Sequence, residues 1–184
     1  MKMVKKEEVV ALMKSVGITD EQIEALEKRG YFHAPASRNK HLAVEGGLMQ
    51  HSYNVAVKLC ELTVLWKIPW ERPEGPTIVG LLHDLVKMDT YEQVFNPDGK
   101  SHWIWKDREN WGENHGYASS CIAQGLKIDL MNDEYAAIEY HMGEWNIGKE
   151  YLERAFREVV KDLPQQVLAT HFADWWSSAV VERE

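Results

Sequence analysis

The sequence predicts an all-α fold that carries one small β-hairpin, and three observations support this prediction. Apolar residues recur at the three- and four-residue spacing of a half-buried helix in most segments. Glycine and proline separate these segments at short intervals. Strand-favouring residues surround a Pro-Asp-Gly turn only at about 91–105. We expect one domain over residues 1–184, with a helical cap at 1–30 and a core at 31–184.

The predicted cap consists of two short helices. The first has regularly spaced apolar residues and ends before Gly17. The second begins with Thr19 and Gln22, whose three-residue separation is that of a capping box, and Gly30 fits its end. Both helices have one apolar face, so we expect them to pack against the main domain.

The stretch Thr77–Tyr91 places His83 and Asp84 side by side within an apolar helical pattern. One helix through this stretch would put the pair on or beside its buried face. A buried carboxylate is costly unless a cation, hydrogen bonds or a proton compensates it, and a metal ion is the simplest partner for Asp84. A lone His-Asp pair is more often solvated or part of the core, so the metal interpretation depends on further ligands elsewhere.

Further candidates do recur along the chain. Three are histidines at or near helix termini and one is an aspartate near the end of the chain: His51 in the predicted helix Leu48–Trp66, His115, His141 and Asp174. In contrast, His33, His41 and His102 are not expected to be ligands.

Two helices are predicted after His141, over Glu150–Val160 and Pro164–Val180. In the second, His171 and Asp174 are three residues apart and share a face. His171 could orient a ligand or could be a satisfied core histidine. Trp175, like Leu168 and Phe172, is expected to be an apolar neighbour within the packed helix.

The charge and cysteine content narrow the possible environments. A net charge of -8 argues against broad binding to nucleic acid, which needs a basic surface, but allows a local basic pocket. Cys60 and Cys121 lack C-x-x-C spacing and are expected to be small buried residues in a reducing compartment. No export signal or long apolar run is visible, so we expect a cytoplasmic protein that does not bind membranes.

Five local motifs together resemble the HD-domain metal-dependent phosphohydrolase superfamily in its two-metal ligand pattern. The resemblance extends over about Phe32–Val180 and is carried by EGGLMQHSYNVA, LLHDLVK, NHGYAS, EYHMG and FADWWSS. It is similar to small bacterial and phage HD hydrolases that begin with an Ala-Pro-Ala-Ser stretch, here Ala34–Ser37. The implied fold is an HD-domain helical bundle, decorated here by the hairpin and the N-terminal cap.

The resemblance also implies a ligand set for two divalent transition-metal ions. One ion would be held by His51, His83, Asp84 and Asp174, and Asp84 would bridge to a second ion held by His115 and His141. Imidazole and carboxylate ligands suit Mn, Fe, Co, Ni or Zn, and paired ions of this kind activate water for attack on phosphorus. Asp84 and Lys87 are therefore the expected catalytic residues. Lys87 would neutralise a substrate phosphate, unless it is a plain surface lysine.

The implied substrate is a small phosphomonoester or phosphodiester, expected to be a nucleotide. Arg38 lies in an irregular basic segment that could face an anion or simply be solvated, and Trp145 follows a predicted ligand and could stack on a base. Trp103 and Trp105 in the hairpin are expected to pack instead. Two alternatives stay open: a di-iron oxygenase on the same scaffold, and a nucleotide-binding sensor without catalysis. Metal identity and oligomeric state stay undetermined.

Overall fold

The computed structural model describes residues 2–106, 115–143, 157 and 164–183. The predicted helix Glu150–Val160 falls outside these residues except for Arg157, and Trp145 falls outside them altogether. Within the described parts, the all-α fold with one small hairpin is confirmed. The elements in chain order are α1 Lys6–Ser15, α2 Asp20–Lys28, α3 Gly47–Trp66, α4 Gly75–Leu82, α5 Lys87–Thr90, β1 Tyr91–Phe95, β2 Ser101–Trp105, α6 His115–Gly125, α7 Asn132–Tyr140 and α8 Pro164–Trp176, which continues as a π-helical turn, Ser177–Val181.

Helices α1 and α2 share the apolar core of the main domain. Val9 and Met13 of α1 are fully buried, as is Leu26 of α2, and all three belong to one core cluster with residues of α3 and α4. The predicted capping box of α2 is present, because the Gln22 amide N–H donates to Thr19 Oγ1 at 3.3 Å. In return, the Thr19 amide N–H donates to Gln22 Oε1 at 2.9 Å.

Two glycines allow helices to approach closely where candidate ligands lie. A Cβ atom added to Gly80 of α4 would lie 2.3 Å from Cα of Ala56 in α3. A Cβ atom added to Gly116 of α6 would lie 2.3 Å from the carbonyl oxygen of Glu139 in α7. Both distances are far below van der Waals contact, so only glycine permits these crossings.

The predicted single helix through Thr77–Tyr91 is interrupted at the His-Asp pair. Helix α4 ends at Leu82 and α5 begins at Lys87. Between them the amide of Lys87 donates to the carbonyl of Asp84 at 3.0 Å, which is the tighter three-residue pattern. At this tightened turn both His83 and Asp84 are buried, with 0% and 1% of their surface exposed.

The predicted hairpin is confirmed over the expected residues. Strands β1 and β2 pair antiparallel, with Tyr91 opposite Trp105 and Gln93 opposite Trp103. The rings of Tyr91 and Trp105 are 4.9 Å apart, which supports a packing role for Trp105.

The two cysteines, Cys60 and Cys121, are free and half-buried rather than buried as expected. No helix in the described part of the chain is long and apolar enough to cross a membrane.

Candidate metal centre and adjoining cavity

Four of the predicted metal ligands converge between α3, the turn after α4, and α8. His51 Nε2 lies 3.1 Å from Asp174 Oδ1 and 3.4 Å from Asp84 Oδ2. His83 Nε2 lies 3.3 Å from His51 Nε2 and 3.4 Å from Asp84 Oδ2. Ring nitrogens and carboxylate oxygens therefore point at one shared position from separate elements.

The other two predicted ligands lie on the opposite side of Asp84. Its Oδ1 atom is 2.5 Å from His115 Nε2 and 3.6 Å from His141 Nε2. One carboxylate thus separates the predicted ligands into two groups, with Oδ2 toward His51 and His83 and Oδ1 toward His115 and His141.

Three of the histidines are oriented by acceptors at their outer ring nitrogen. An acceptor at Nδ1 keeps the proton of a neutral imidazole there, so Nε2 presents its lone pair to the cluster. The acceptors are the Gly80 carbonyl for His83 (2.9 Å), the Ile138 carbonyl for His141 (2.7 Å) and the Glu182 carboxylate for His51 (3.0 Å).

These residues fit a divalent transition metal. His51 Nε2 and His83 Nε2 face each other at 3.3 Å, so both nitrogens could bind one cation that displaces the proton of His51 Nε2. Among the described residues, His141 Nε2 is buried without a hydrogen-bond partner, which is costly in the absence of a ligand. Two sets of ligand atoms lie within 4.8 Å of one another, His51 with His83 and Asp174, and His83 with Asp84 and His141.

The two aspartates of the cluster are ionised, which places strong negative charge at its centre. Burial raises the pKa of Asp84, but the Lys87 ammonium and neighbouring imidazoles hold it well below its usual value, so the carboxylate is ionised. Burial likewise opposes ionisation of Asp174, yet the hydrogen bond from His51 lowers its pKa.

Burial and the same carboxylate charges also shift the pKa values of the histidines. Burial lowers the pKa of His83 and of His115, which favours the neutral form that binds metal. Burial also acts to lower the pKa of His51, but hydrogen bonds to Asp174, Asp84 and Glu182 raise it well above its usual value. The raised pKa keeps a proton on His51 that compensates the charge of these carboxylates. A metal cation bound by His51 would compensate the same charge.

Glu182 was not predicted and is the carboxylate that orients His51. It is 6% exposed and follows the π-helical turn, where its amide donates to the Ser177 carbonyl at 3.0 Å. Asn54 Nδ2 donates to Glu182 Oε1 at 2.8 Å. Near His51, the local sequence signal for a polar partner was Asn54, which lies three residues later and thus on the same helical face. Glu182 lies 131 positions from His51, so local spacing did not indicate that it would contact this histidine.

Lys87 and His171 both support the cluster. Lys87 Nζ lies 2.5 Å from Asp84 Oδ2 and its side chain is 12% exposed, which contradicts a plain surface lysine. His171 Nδ1 donates to the main-chain oxygen of His141 at 2.6 Å, a contact that an orienting residue and a satisfied core histidine would both make.

A cavity of about 750 Å3 adjoins the cluster. In the described part of the chain, its charged lining consists of three cations, Lys40, Lys87 and Arg183, and two carboxylates, Asp174 and Glu182. His41, His171 and the indole of Trp175 also line it. The cations thus slightly outnumber the carboxylates in this cavity, although the chain as a whole is acidic.

His41 lies closer to the cluster than expected. Burial lowers its pKa to about 4, so the ring is neutral near pH 7. Its Nε2 atom is 3.9 Å from Glu182 Oε2 and has no hydrogen-bond partner in the described chain. His41, His51 and Glu182 form a further group whose candidate ligand atoms lie within 4.8 Å of one another.

The remaining candidates are Arg38, His33, His102 and Trp145. Arg38 is exposed and does not line the cavity among the described residues. Burial raises the pKa of the Tyr91 phenol, and the charges of Lys87 and, to a lesser extent, Arg38 oppose that shift. His33 is exposed and paired with Glu45, and His102 is exposed on β2. The predicted contact of Trp145 with a base falls outside the described residues.

The comparison with protein families agrees with this geometry. The model of the HD domain family matches residues 48–178, a span that contains all six predicted metal ligands. The chain therefore belongs to the HD domain family, whose members are generally metal-dependent phosphohydrolases. Searches of curated proteins and of solved structures each returned no significant match.

Proposed function

We propose that this protein is a two-metal phosphohydrolase that cleaves a phosphomonoester or phosphodiester of a nucleotide. The observation that carries the proposal is the division of the ligands by Asp84, with Oδ1 at 2.5 Å from His115 and Oδ2 at 3.4 Å from both His51 and His83. A carboxylate placed in this way can bridge two divalent ions.

The residues divide between the two ions as the carboxylate suggests. His51, His83 and Asp174 would hold one ion, His115 and His141 would hold the other, and Asp84 would contact both. When bound, paired divalent ions lower the pKa of water and stabilise charge on phosphoryl oxygens.

The protein's own side chains bind and orient the substrate. Lys87 lines the cavity and lies beside Asp84, so its ammonium is available to a phosphoryl oxygen that approaches the cluster. Lys40 and Arg183 add positive charge in the same cavity and attract an anion to an otherwise acidic protein. His171 holds the backbone of His141 in place.

The chemical step is hydrolysis of one ester bond. The oxygen of water bonds to phosphorus, the phosphorus–oxygen ester bond breaks, and the leaving alkoxide takes up the proton that the water releases. A cavity of about 750 Å3 is within the range of about 300–1,000 Å3 that small-molecule sites commonly occupy, which supports a substrate of nucleotide size.

The test is a metal and substrate screen on chelator-treated protein. Mn, Fe, Co, Ni and Zn are added singly, and phosphate release from AMP and nitrophenol release from thymidine 5′-(p-nitrophenyl) phosphate are followed. We expect turnover with at least one metal, loss of turnover in Asp84→Asn, and unchanged turnover in His102→Ala, whose ring is exposed on the hairpin.

Other outcomes of the screen would contradict the proposal. Absence of hydrolysis with every metal and both substrates would overturn it. Bound iron together with oxygen consumption and no hydrolysis would favour the oxygenase alternative. Nucleotide binding without any turnover would favour the sensor alternative.

A further inference from the structure

Trp175 is an aromatic residue at the cavity, and it has no role in the proposed reaction. It lines the cavity and follows Asp174 directly in α8. The residue is 61% exposed, although the helical pattern predicted that it would pack. A large ring left open beside a candidate metal centre is able to contact a ligand there.

The ring of Trp175 is supported by other aromatic side chains. Its centroid lies 6.4 Å from that of Phe172, at an interplanar angle of 65°. Phe172 in turn stacks on Trp176 at 6.0 Å and contacts Trp66 at 5.9 Å. Lys58 Nζ lies 5.2 Å from the Trp176 ring centroid. These contacts surround Phe172, the ring that Trp175 contacts.

The cavity therefore combines three recognition chemistries. The candidate metal centre and Lys87 suit a phosphoryl group, and Lys40 and Arg183 suit further negative charge. The indole of Trp175 suits a flat apolar group. A sugar phosphate has no flat group to cover the indole, whereas the base of a nucleotide has one.

We infer that Trp175 is a specificity-determining residue that stacks on the nucleobase of the substrate. This inference rests on the proposed function for the identity of the ligand, and it assigns the base-binding role to α8. Stacking on an aromatic side chain depends on the π face of the base and tolerates different bases. Binding should thus require a base without strong preference among them.

The test compares two probes that differ only by the base. The affinities of AMP and ribose 5-phosphate are measured by calorimetry for wild-type protein, Trp175→Ala, Trp175→Leu and Trp175→Phe. The added divalent ion is the one among Co, Ni and Zn that gives the least phosphate release from AMP, because imidazole ligands suit these ions, and circular dichroism checks the fold. The control is Trp66→Ala, which removes another ring that contacts Phe172 but that does not line the cavity.

The inference predicts that only the affinity for AMP falls, and only when Trp175 is replaced. Trp175→Ala and Trp175→Leu should weaken AMP binding about fivefold to about 150-fold and leave ribose 5-phosphate unchanged. Trp175→Phe should retain most of the AMP affinity, since it keeps a π face, and Trp66→Ala should bind both probes as wild type does.

The inference would be overturned by unchanged AMP affinity in Trp175→Ala, by equal losses for both probes, or by no AMP binding by the wild type. Loss in Trp66→Ala as large as in Trp175→Ala would indicate that the aromatic cluster acts as a whole and would also overturn it. Failure of the proposed function is distinguishable, because Trp175-dependent AMP binding without hydrolysis under any metal would leave the base-stacking role intact.

Discussion

Nδ1 of His51 lies 3.0 Å from both carboxylate oxygens of Glu182, although 131 positions separate the two residues. The contact joins the buried N-terminal half of α3 to the turn that follows α8, and it places His51 Nε2 toward Asp84 and Asp174. A carboxylate at the outer nitrogen of a metal-binding histidine fixes its tautomer and strengthens it as a ligand. Glu182 is therefore expected to control metal affinity without binding the metal.

Glu182→Gln should reduce metal affinity about 10-fold to about 100-fold. The amide keeps a polar partner near His51 and Asn54 but removes the negative charge that favours a cation in the cluster. Competition with a fluorescent chelator measures the affinity. Glu92→Gln, on the exposed strand β1, is the matched control, and equal affinities in the two variants would show that Glu182 has no such role.

Asp84→Asn should abolish tight binding of both ions and all hydrolysis. The amide cannot supply negative charge to either group of histidines, and it leaves the Lys87 ammonium without its ion-pair partner at 2.5 Å. Elemental analysis after gel filtration measures the bound metal. Asp98→Asn, in the exposed hairpin turn, is the control; a variant of Asp84 that keeps two ions would contradict the bridging role.

His115→Ala and His141→Ala should behave alike, each losing about one ion per chain and keeping the other. The reason is that both imidazoles face Oδ1 of Asp84, whereas His51 and His83 face Oδ2. Metal content is measured by titration with Co2+ followed by its visible absorption. Loss of both ions in either variant, with the fold retained, would show that the two groups of ligands are not separate.

Gly80→Ala should destabilise the protein by about 1–3 kcal/mol, because the added methyl group would meet Cα of Ala56 at 2.3 Å and force α3 away from α4. The same shift moves His51 relative to His83, so metal affinity should fall as well. Urea denaturation measures the free energy of unfolding.

Gly125→Ala is a matched control for Gly80→Ala. Gly125 ends α6, and beyond its chain neighbours and its own helix no atom of the described residues lies within 4 Å of a Cβ placed there. Its unfolding free energy should be unchanged or raised by up to about 1 kcal/mol, since alanine restricts the unfolded chain. Equal stabilities of the two variants would contradict the close crossing at Gly80.

Local pattern was sufficient for most of the architecture. The spacing of apolar residues predicted α3 and α8, the Thr19 and Gln22 pair predicted the start of α2, and the Pro-Asp-Gly turn predicted the hairpin. The break after Leu82 was missed because the apolar period continues through Leu85, which is fully buried. Tightening of the backbone at the His-Asp pair leaves no mark in hydrophobic spacing.

The surroundings of the candidate site were harder to predict than the candidate ligands. The candidate ligand histidines stand in recognisable motifs, but Glu182 and His41 reach the cluster only through the folded arrangement of distant segments. The exposure of Trp175 was also hard to predict from the sequence. Helical spacing predicts which residues share a face, but which neighbours cover that face depends on tertiary packing, and here the residue is left 61% exposed.

The most direct test of the central claim is the number of transition-metal ions per chain in protein purified without chelator or histidine tag. Elemental analysis should give about two ions per wild-type chain, falling to near zero in Asp84→Asn. One ion per chain at saturation would contradict the two-metal site and favour a mononuclear one. Absence of any bound metal, even after incubation with Mn, Fe, Co, Ni or Zn, would contradict the metal centre itself.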